Sequence, residues 1–178
     1  VALAVANQLC AVLSPYCERL AIAGSIRRMK PDVGDVEIVF VPKTCRQQID
    51  LLAWQEISMA DLAIERMVAT GILAQRKSKI GTVAWGSKNK LAVHSSGIPV
   101  DLFATSEPCW YNYLVCRTGP ASSNARIATA AQAKGWKWHP YGPGFSHRAT
   151  GQMIPMESEE AVFDFVGLPF LPPPQRQP

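Results

Sequence analysis

With 178 residues, 48% of them hydrophobic and 18% charged, the chain can bury a sizeable core and is too apolar to be disordered. A formal net charge of +4 permits a polyanionic partner but falls far short of a basic nucleic-acid-binding tail. Cys10, Cys17, Cys45, Cys109 and Cys116 are odd in number and form no C-x-x-C pair, which argues against a zinc site and a disulfide framework and points to reduced thiols in a cytoplasmic or nucleoid-associated compartment.

The first predicted element is a buried helix over about residues 1–19, with Leu3, Ala6, Leu9, Cys10 and Leu13 at helical spacing. Its apolar start lacks the basic residues and small-residue cleavage site of a signal peptide, and no apolar stretch is long enough to span a bilayer. A short strand, RLAIAG, runs to Gly24, and GSIRRMKPDVGD follows as a turn-rich loop with Gly24, Pro31 and Gly34. VEIVFVP is a β-branched strand closed by Pro42. From Cys45 to Gly71 the pattern is helical, with Met59, Leu62, Ala63, Met67 and Val68 facing inward. TVAWGSKNKLAVHSSGIPVDLFAT reads as three strands joined by turns at SKNK and HSSG.

WYNYLVCRTGP is a short helix broken by Gly119 and Pro120, and SSNARIATAAQAKG is a helix capped by Ser122 or Ser123 and stopped by Gly135. WKWHPYGPGFSHRATGQMIP holds two short strands around a Gly/Pro turn, with Trp136 and Trp138 alternating onto one core-facing side. In SEEAVFDFVGL, Ser158 caps a helix whose first turn carries Glu159 and Glu160, where the helix dipole favours them. The Pro-rich end, PFLPPPQRQP, is expected to be extended.

Three carboxylates stand out. Asp35 and Glu37 are at i and i+2 of a predicted strand, so both leave the same face, and the rest of that run is apolar. Two adjacent acids repel, and a cation such as Mg²⁺, which takes oxygen ligands, resolves the conflict. Asp101 is the one charge in IPVDLFA, a second strand-forming run. Facing the first pair, it would complete a two-metal site able to clamp a phosphate during in-line displacement. Ahead of them, Gly24-Ser25 and the basic pair Arg27-Arg28 offer backbone N–H groups, a hydroxyl and two cations, suitable chemistry for a triphosphate.

In order, Gly24-Ser25, Arg27-Arg28, Gly34-Asp35-Val36-Glu37 and Asp101 resemble the nucleotidyltransferase superfamily signature. Within that superfamily the chain resembles family X DNA polymerases, the group of DNA polymerase β. Thr118-Gly119 with Asn124 is similar to the family's T-G-x-x-x-x-N element, SEEAVFDFVGLPFLPP to its terminal segment, and VDLF to its third-carboxylate strand. The resemblance implies an α+β fold: a nucleotidyltransferase palm, a mixed β-sheet with helices, followed by a small α/β thumb-like subdomain. The expected division is a leading helix and strand entry at 1–22, a palm at 23–108 and a thumb-like part at 109–178.

The same resemblance implies that Asp35, Glu37 and Asp101 ligate two Mg²⁺ ions, with Mn²⁺ able to substitute, and that Asp101 helps deprotonate a primer 3′-hydroxyl. Ser25 and Arg28, with Gly24, would hold the nucleotide's phosphates; Cys116, Arg117, Thr118, Gly119 and Asn124 would line its sugar and base. The implied activity is addition of dNMP from dNTP to a primer or gapped DNA, in gap filling or repair, by a monomer with no membrane partner. The alternatives are template-independent transfer, transfer to a small molecule or protein, and a non-catalytic DNA-binding relic. Arg126, Lys88 and Lys90, with Lys77 and Lys79, are the candidate DNA contacts, and Trp110, Tyr111 and Tyr113 are aromatics able to stack on bases but more in keeping with packing.

The chain departs from the family pattern at four places. Glu37 stands where the family's polymerases usually carry Asp. Cys116 and Arg117 replace the aromatic pair that excludes a ribose 2′-hydroxyl, so weaker rejection of ribonucleotides is expected from a small thiol and a flexible arginine. Ala125 and Ala128 fall where templated relatives contact the template. No lyase domain or helix-hairpin-helix glycine motif is found in this sequence, which is either a minimal palm and thumb or a stretch from which that part was left out.

Overall fold

The computed structural model describes residues 1–78 and 80–176; Lys79 and the tail residues Gln177 and Pro178 lie outside the described residues. The chain divides into two compact units, Val1–Ile22 with Gly34–Ala104, and Ala23–Val33 with Thr105–Pro178. The segment 23–33, which the sequence reading places at the start of the palm at 23–108, packs within the second unit.

The first unit is built on a five-stranded mixed sheet. Its strands are β1 (Cys17–Ile22), β2 (Val36–Pro42), β5 (Leu73–Gln75), β6 (Asn89–His94) and β7 (Pro99–Ala104), in the order β1-β2-β7-β6-β5. β2 and β7 are parallel; every other pair is antiparallel. Helix α1 (Ala2–Leu13) buries Val5, Ala6, Leu9 and Leu13. Helix α3 (Met59–Ala69), capped by Ser58, buries Ala60, Ala63, Ile64 and Met67. Leu3 and Leu62, expected inside, are exposed. The α+β class with a mixed sheet and helices is as expected.

Two stretches differ from their sequence patterns. The first half of the Cys45–Gly71 run is not helical: β3 (Thr44–Gln48) and β4 (Trp54–Ser58) form a hairpin. Its tip is fixed by the Asp50 carboxylate, which accepts from the Leu52 and Ala53 amides at 2.9 and 2.8 Å, a local bond that competes with helix formation. TVAW forms only isolated bridges, Lys77 to Val83 and Trp85 to Lys90, and the third strand of that region is β5, upstream.

The second unit packs helices α2 (Gly24–Arg27), α4 (Trp110–Thr118), α5 (Ala121–Ala133) and α6 (Glu159–Val166) with a small antiparallel sheet. That sheet is β10-β9-β8, formed by β8 (Trp136–Trp138), β9 (Gly144–His147) and β10 (Met153–Pro155). Its core holds Val115, Ile127, Trp138, Phe145, Val162 and Phe163, and Trp136 packs against it, as the Trp136/Trp138 alternation predicts. The Trp138 indole N–H is satisfied: Nε1 donates to Asn112 Oδ1 at 2.8 Å, and Asn112 Nδ2 donates to the Pro143 carbonyl at 2.7 Å. Ser158 caps α6 by accepting from the Ala161 amide at 2.9 Å. Helix α5 instead starts after Pro120, with no side-chain cap.

A charged cluster ties the ends of this unit together. Glu159, the first residue of α6, accepts from Arg27 of α2 through both carboxylate oxygens, and its Oε2 also accepts from Arg176 Nη2 at 3.1 Å. Arg176 is only 1% exposed, and its guanidinium lies over the Phe163 and Phe170 rings at 5.0 and 5.4 Å. The tail expected to be merely extended thus includes a 3-10 turn, Pro173–Gln175, and a buried arginine. Removing one member of a buried ion pair strands the others without compensation. Glu159→Gln is therefore expected to destabilise the chain by about 3 kcal/mol, read as a fall in the urea unfolding midpoint. A midpoint unchanged from the parent would show that Glu159 is a solvated helix-dipole residue.

Candidate functional site

The carboxylates belong to the first unit. Asp35 lies one residue before β2, outside the ladder, whereas Glu37 is on β2 and Asp101 on β7. The parallel register places Glu37 directly opposite Asp101. Register partners share a face, and adjacent strands are about 4.8 Å apart. The face is identified by Lys90, which sits opposite Leu102 and donates to Asp61 Oδ1 of α3 at 2.8 Å. Lys90 and Leu102 therefore point toward α3, and Glu37 and Asp101, one residue out of step, point away from it.

Like charges directly opposite one another on a sheet are destabilising. Here part of the charge is countered from a residue that sequence reading missed. Arg76, just after β5, forms an ion pair through Nη2 with Asp101 Oδ1, and the two side chains are only 25% and 16% exposed. Nothing local in the sequence marks Arg76, because its position relative to Asp101 is set by strand register.

Among the described residues, no three His, Cys, Asp or Glu side chains are grouped closely enough to hold a metal ion. The strand register pairs Glu37 with Asp101, and Asp35 lies outside that pairing. Asp35 is free of the ladder that aligns the other two, and Asp101 is bound on its β5 side, away from the Glu37 strand. The paired donors are carboxylate oxygens, a hard set that suits Mg²⁺ or Mn²⁺ rather than a soft metal.

The GSIRR loop belongs to the second unit, where its two arginines have different tasks. Arg27 is committed internally, with Nη1 donating to Thr118 Oγ1 at 2.7 Å beside its bonds to Glu159. Arg28 donates from Nη1 to the Thr118 carbonyl, but its buried Nε has no partner among the described residues. The buried Ser25 Oγ also lacks one. Asn124 donates from Nδ2 to the Cys116 carbonyl at 2.9 Å, and its buried Oδ1 is unmatched too. Each such group costs about 1–3 kcal/mol in a folded protein, and all three are residues for which the family resemblance implies contact with a nucleotide.

Gly119 lies against Arg28, and its φ of 62° and ψ of −153° fall in a region open essentially to glycine alone. A Cβ there would meet Arg28 Nη1 at 3.3 Å.

Two sequence expectations, for Arg117 and Lys90, change on this geometry. Arg117 is not a loose side chain: its guanidinium lies over the Tyr113 ring at 5.6 Å and the Tyr141 ring at 5.1 Å, so Tyr141 is a second residue that sequence reading missed. Lys90 is not placed to contact DNA; it is 6% exposed, and its ammonium is occupied by Asp61 and by the Gly86 carbonyl at 2.9 Å. Trp110 and Tyr113 are buried, consistent with packing rather than stacking on bases. Lys88 and Arg126 are exposed, Ala125 is exposed, and Ala128 packs against the core of the second unit. The cysteines form no disulfide, and burial raises the pKa of the Cys10 and Cys17 thiols to about 11, which disfavours the nucleophilic thiolate. No helix of the described residues is long and apolar enough to cross a membrane.

The backbone at Gly119 yields a direct test. Gly119→Ala should cost about 1–3 kcal/mol of stability, measured by urea unfolding. A variant as stable as the parent would mean that the backbone there relaxes and that the glycine is not required by conformation.

Comparison with known proteins bears on both units. Residues 113–177 match the family model described as DNA polymerase beta thumb. The fold of the chain is similar to that of polymerase beta from Leishmania infantum, solved as a ternary P/T complex, with a TM-score of 0.69 at 19% identity. The match covers 97% of this chain and 72% of that one. No curated protein sequence matches.

Proposed function

We propose that this family X polymerase-like chain, which has a polymerase beta fold and a DNA polymerase beta thumb at residues 113–177, adds dNMP from dNTP to a DNA primer 3′-hydroxyl. The observation that carries the reading is the register pairing of Glu37 with Asp101 on one sheet face. A thumb of this family argues for a nucleic-acid acceptor over a small molecule. The Leishmania relative was solved as a ternary P/T complex, which supports primer–template or gapped DNA as the partner and gap filling or repair as the setting. The chain is expected to act as a monomer.

Asp35, Glu37 and Asp101 would hold two Mg²⁺ ions, with Mn²⁺ able to substitute. When bound, the ions supply charge neutralisation at the reacting phosphate and ease ionisation of the attacking hydroxyl. The chain's own groups position and deprotonate. The Asp101 carboxylate takes the proton of the 3′-hydroxyl. The hydroxyl oxygen bonds to the α-phosphorus as the bond to the pyrophosphate oxygen breaks, and pyrophosphate leaves.

Ser25 Oγ and Arg28 bind the β- and γ-phosphates, and the unmatched Ser25 hydroxyl and Arg28 N–H supply the donors. Arg27 is not available for this, because Thr118 and Glu159 occupy it. Gly119 and Asn124, with Cys116 and Arg117, line the sugar and base, and buried Thr118 anchors both arginines beneath them.

The test is primer extension on a gapped template with four dNTPs and Mg²⁺ or Mn²⁺. The parent should extend the primer. Asp101→Ala should not, while remaining folded and bound to DNA, and Glu37→Asp should retain activity because the carboxylate is kept. Extension by Asp101→Ala at the parental rate would show that the acids are misassigned, and no extension by the parent would refute the reading itself.

The phosphate assignment is tested separately. Losing a charge-assisted contact costs about 1.5–3 kcal/mol, so Arg28→Ala should raise the KM for dNTP roughly ten- to a hundredfold, with primer–template affinity nearly unchanged. An unchanged KM with weaker, salt-sensitive DNA binding would move Arg28 into the DNA groove.

A further inference from the structure

Four side chains lie in one row across the first unit's sheet. Glu37 is opposite Asp101, and Asp101 is opposite Leu91. The Arg76 amide donates to the Leu91 carbonyl at 3.0 Å, continuing the β5–β6 ladder by one residue, which puts Arg76 opposite Leu91. Directly opposed residues share a face, so the row reads Glu37, Asp101, Leu91, Arg76. Two strand spacings, about 10 Å, separate the Arg76 and Asp101 backbones. The arginine stem crosses above Leu91, pinned on the way where Nε donates to the Ala92 carbonyl at 3.0 Å, and the guanidinium meets Asp101 Oδ1.

This arrangement has a chemical consequence. A carboxylate oxygen that accepts from a guanidinium offers that lone pair to nothing else, and the positive charge repels a second cation at the same group. With 25% of the Arg76 side chain and 16% of the Asp101 side chain exposed, water reaches the pair, so it is exchangeable rather than locked.

We infer that Arg76 is a positioning residue that competes with a divalent cation for Asp101, so that the cation binds the Glu37–Asp101 pair only by displacing the guanidinium. The inference rests on the reading of these two carboxylates as cation ligands. It makes Arg76 a resident counter-ion that keeps the acid row neutralised until the exchange. The displaced guanidinium, still tethered to the Ala92 carbonyl, remains beside the row.

The experiment is titration of the whole chain, without DNA or nucleotide, with Mn²⁺, following free Mn²⁺ by electron paramagnetic resonance. Arg76→Gln and Arg76→Met both remove the charge, and either one, shown to be folded, decides the matter. Each should bind Mn²⁺ about fivefold more tightly than the parent. Arg76→Lys, which keeps the charge, should stay near the parent, and Asp101→Asn should bind at least about tenfold more weakly. If Asp101→Asn loses affinity but neither neutral Arg76 variant gains it, the competition is refuted and the ligand reading stands. If Asp101→Asn binds Mn²⁺ as the parent does, the ligand reading fails and takes this inference with it.

Discussion

The placement of Glu37 directly opposite Asp101 is the constraint around which the first unit is organised. Two negative charges in register on neighbouring strands would weaken the very pairing that aligns them. The apolar residues around them hold the register: Val36 and Ile38 on β2 lie opposite Val100 and Leu102 on β7, and all four are almost fully buried. A slip by one residue would turn those four outward and drive both acids toward the helices. The parallel pairing also requires a long crossover, which the β3–β4 hairpin, α3, β5 and β6 supply. Through β5 and β6 the same crossover delivers Arg76 to the row.

In the second unit, charge is handled by commitment. Glu159 binds Arg27 and Arg176 together, so one carboxylate faces two guanidinium groups. That leaves Arg28, the next residue, as the arginine of the loop with an unmatched buried N–H. Adjacent arginines in a sequence look equivalent. In the fold, one is a tie within the unit and the other keeps a buried N–H without a partner among the described residues, the donor proposed here for a phosphate. Arg117 shows a third use of the same side chain, clamped over two tyrosine rings, where its bulk stands in the pair expected to be permissive toward a ribose.

Much of this was legible in the sequence, and the parts that were not depend on long-range geometry or on residues without a buried pattern. Periodicity and β-branching found α1, β2, β7 and α6, because those elements bury continuous apolar patterns. Ser158 was readable as a cap because capping is local chemistry. The charged residue in IPVDLFA and the Gly-Ser-Arg string marked the acids and the loop. What sequence could not give was register. Arg76 and Lys90 are both cations near the β6 hairpin, yet one reaches Asp101 and the other turns to Asp61, depending only on which side of a strand each occupies. The hairpin at 44–58 was missed because its residues are largely exposed and carry no alternation, and the Asp50 turn that closes it looks like part of a polar helix face. The membership of residues 23–33 in the second unit was likewise invisible, since it follows from the long-range contacts of Arg27 and Arg28.

The most direct measurement for the central claim is the melting temperature as a function of Mg²⁺ concentration, for the parent and for the doubly substituted Glu37→Gln/Asp101→Asn chain. A ligand that binds only the folded state raises its stability in proportion to the logarithm of its concentration once above its dissociation constant. If the register pair is a cation site, the parent's melting temperature climbs with Mg²⁺, and the double variant, with the repulsion already removed, shows no such climb. Equal climbs in the two proteins, or none in the parent up to tens of millimolar, would contradict the account.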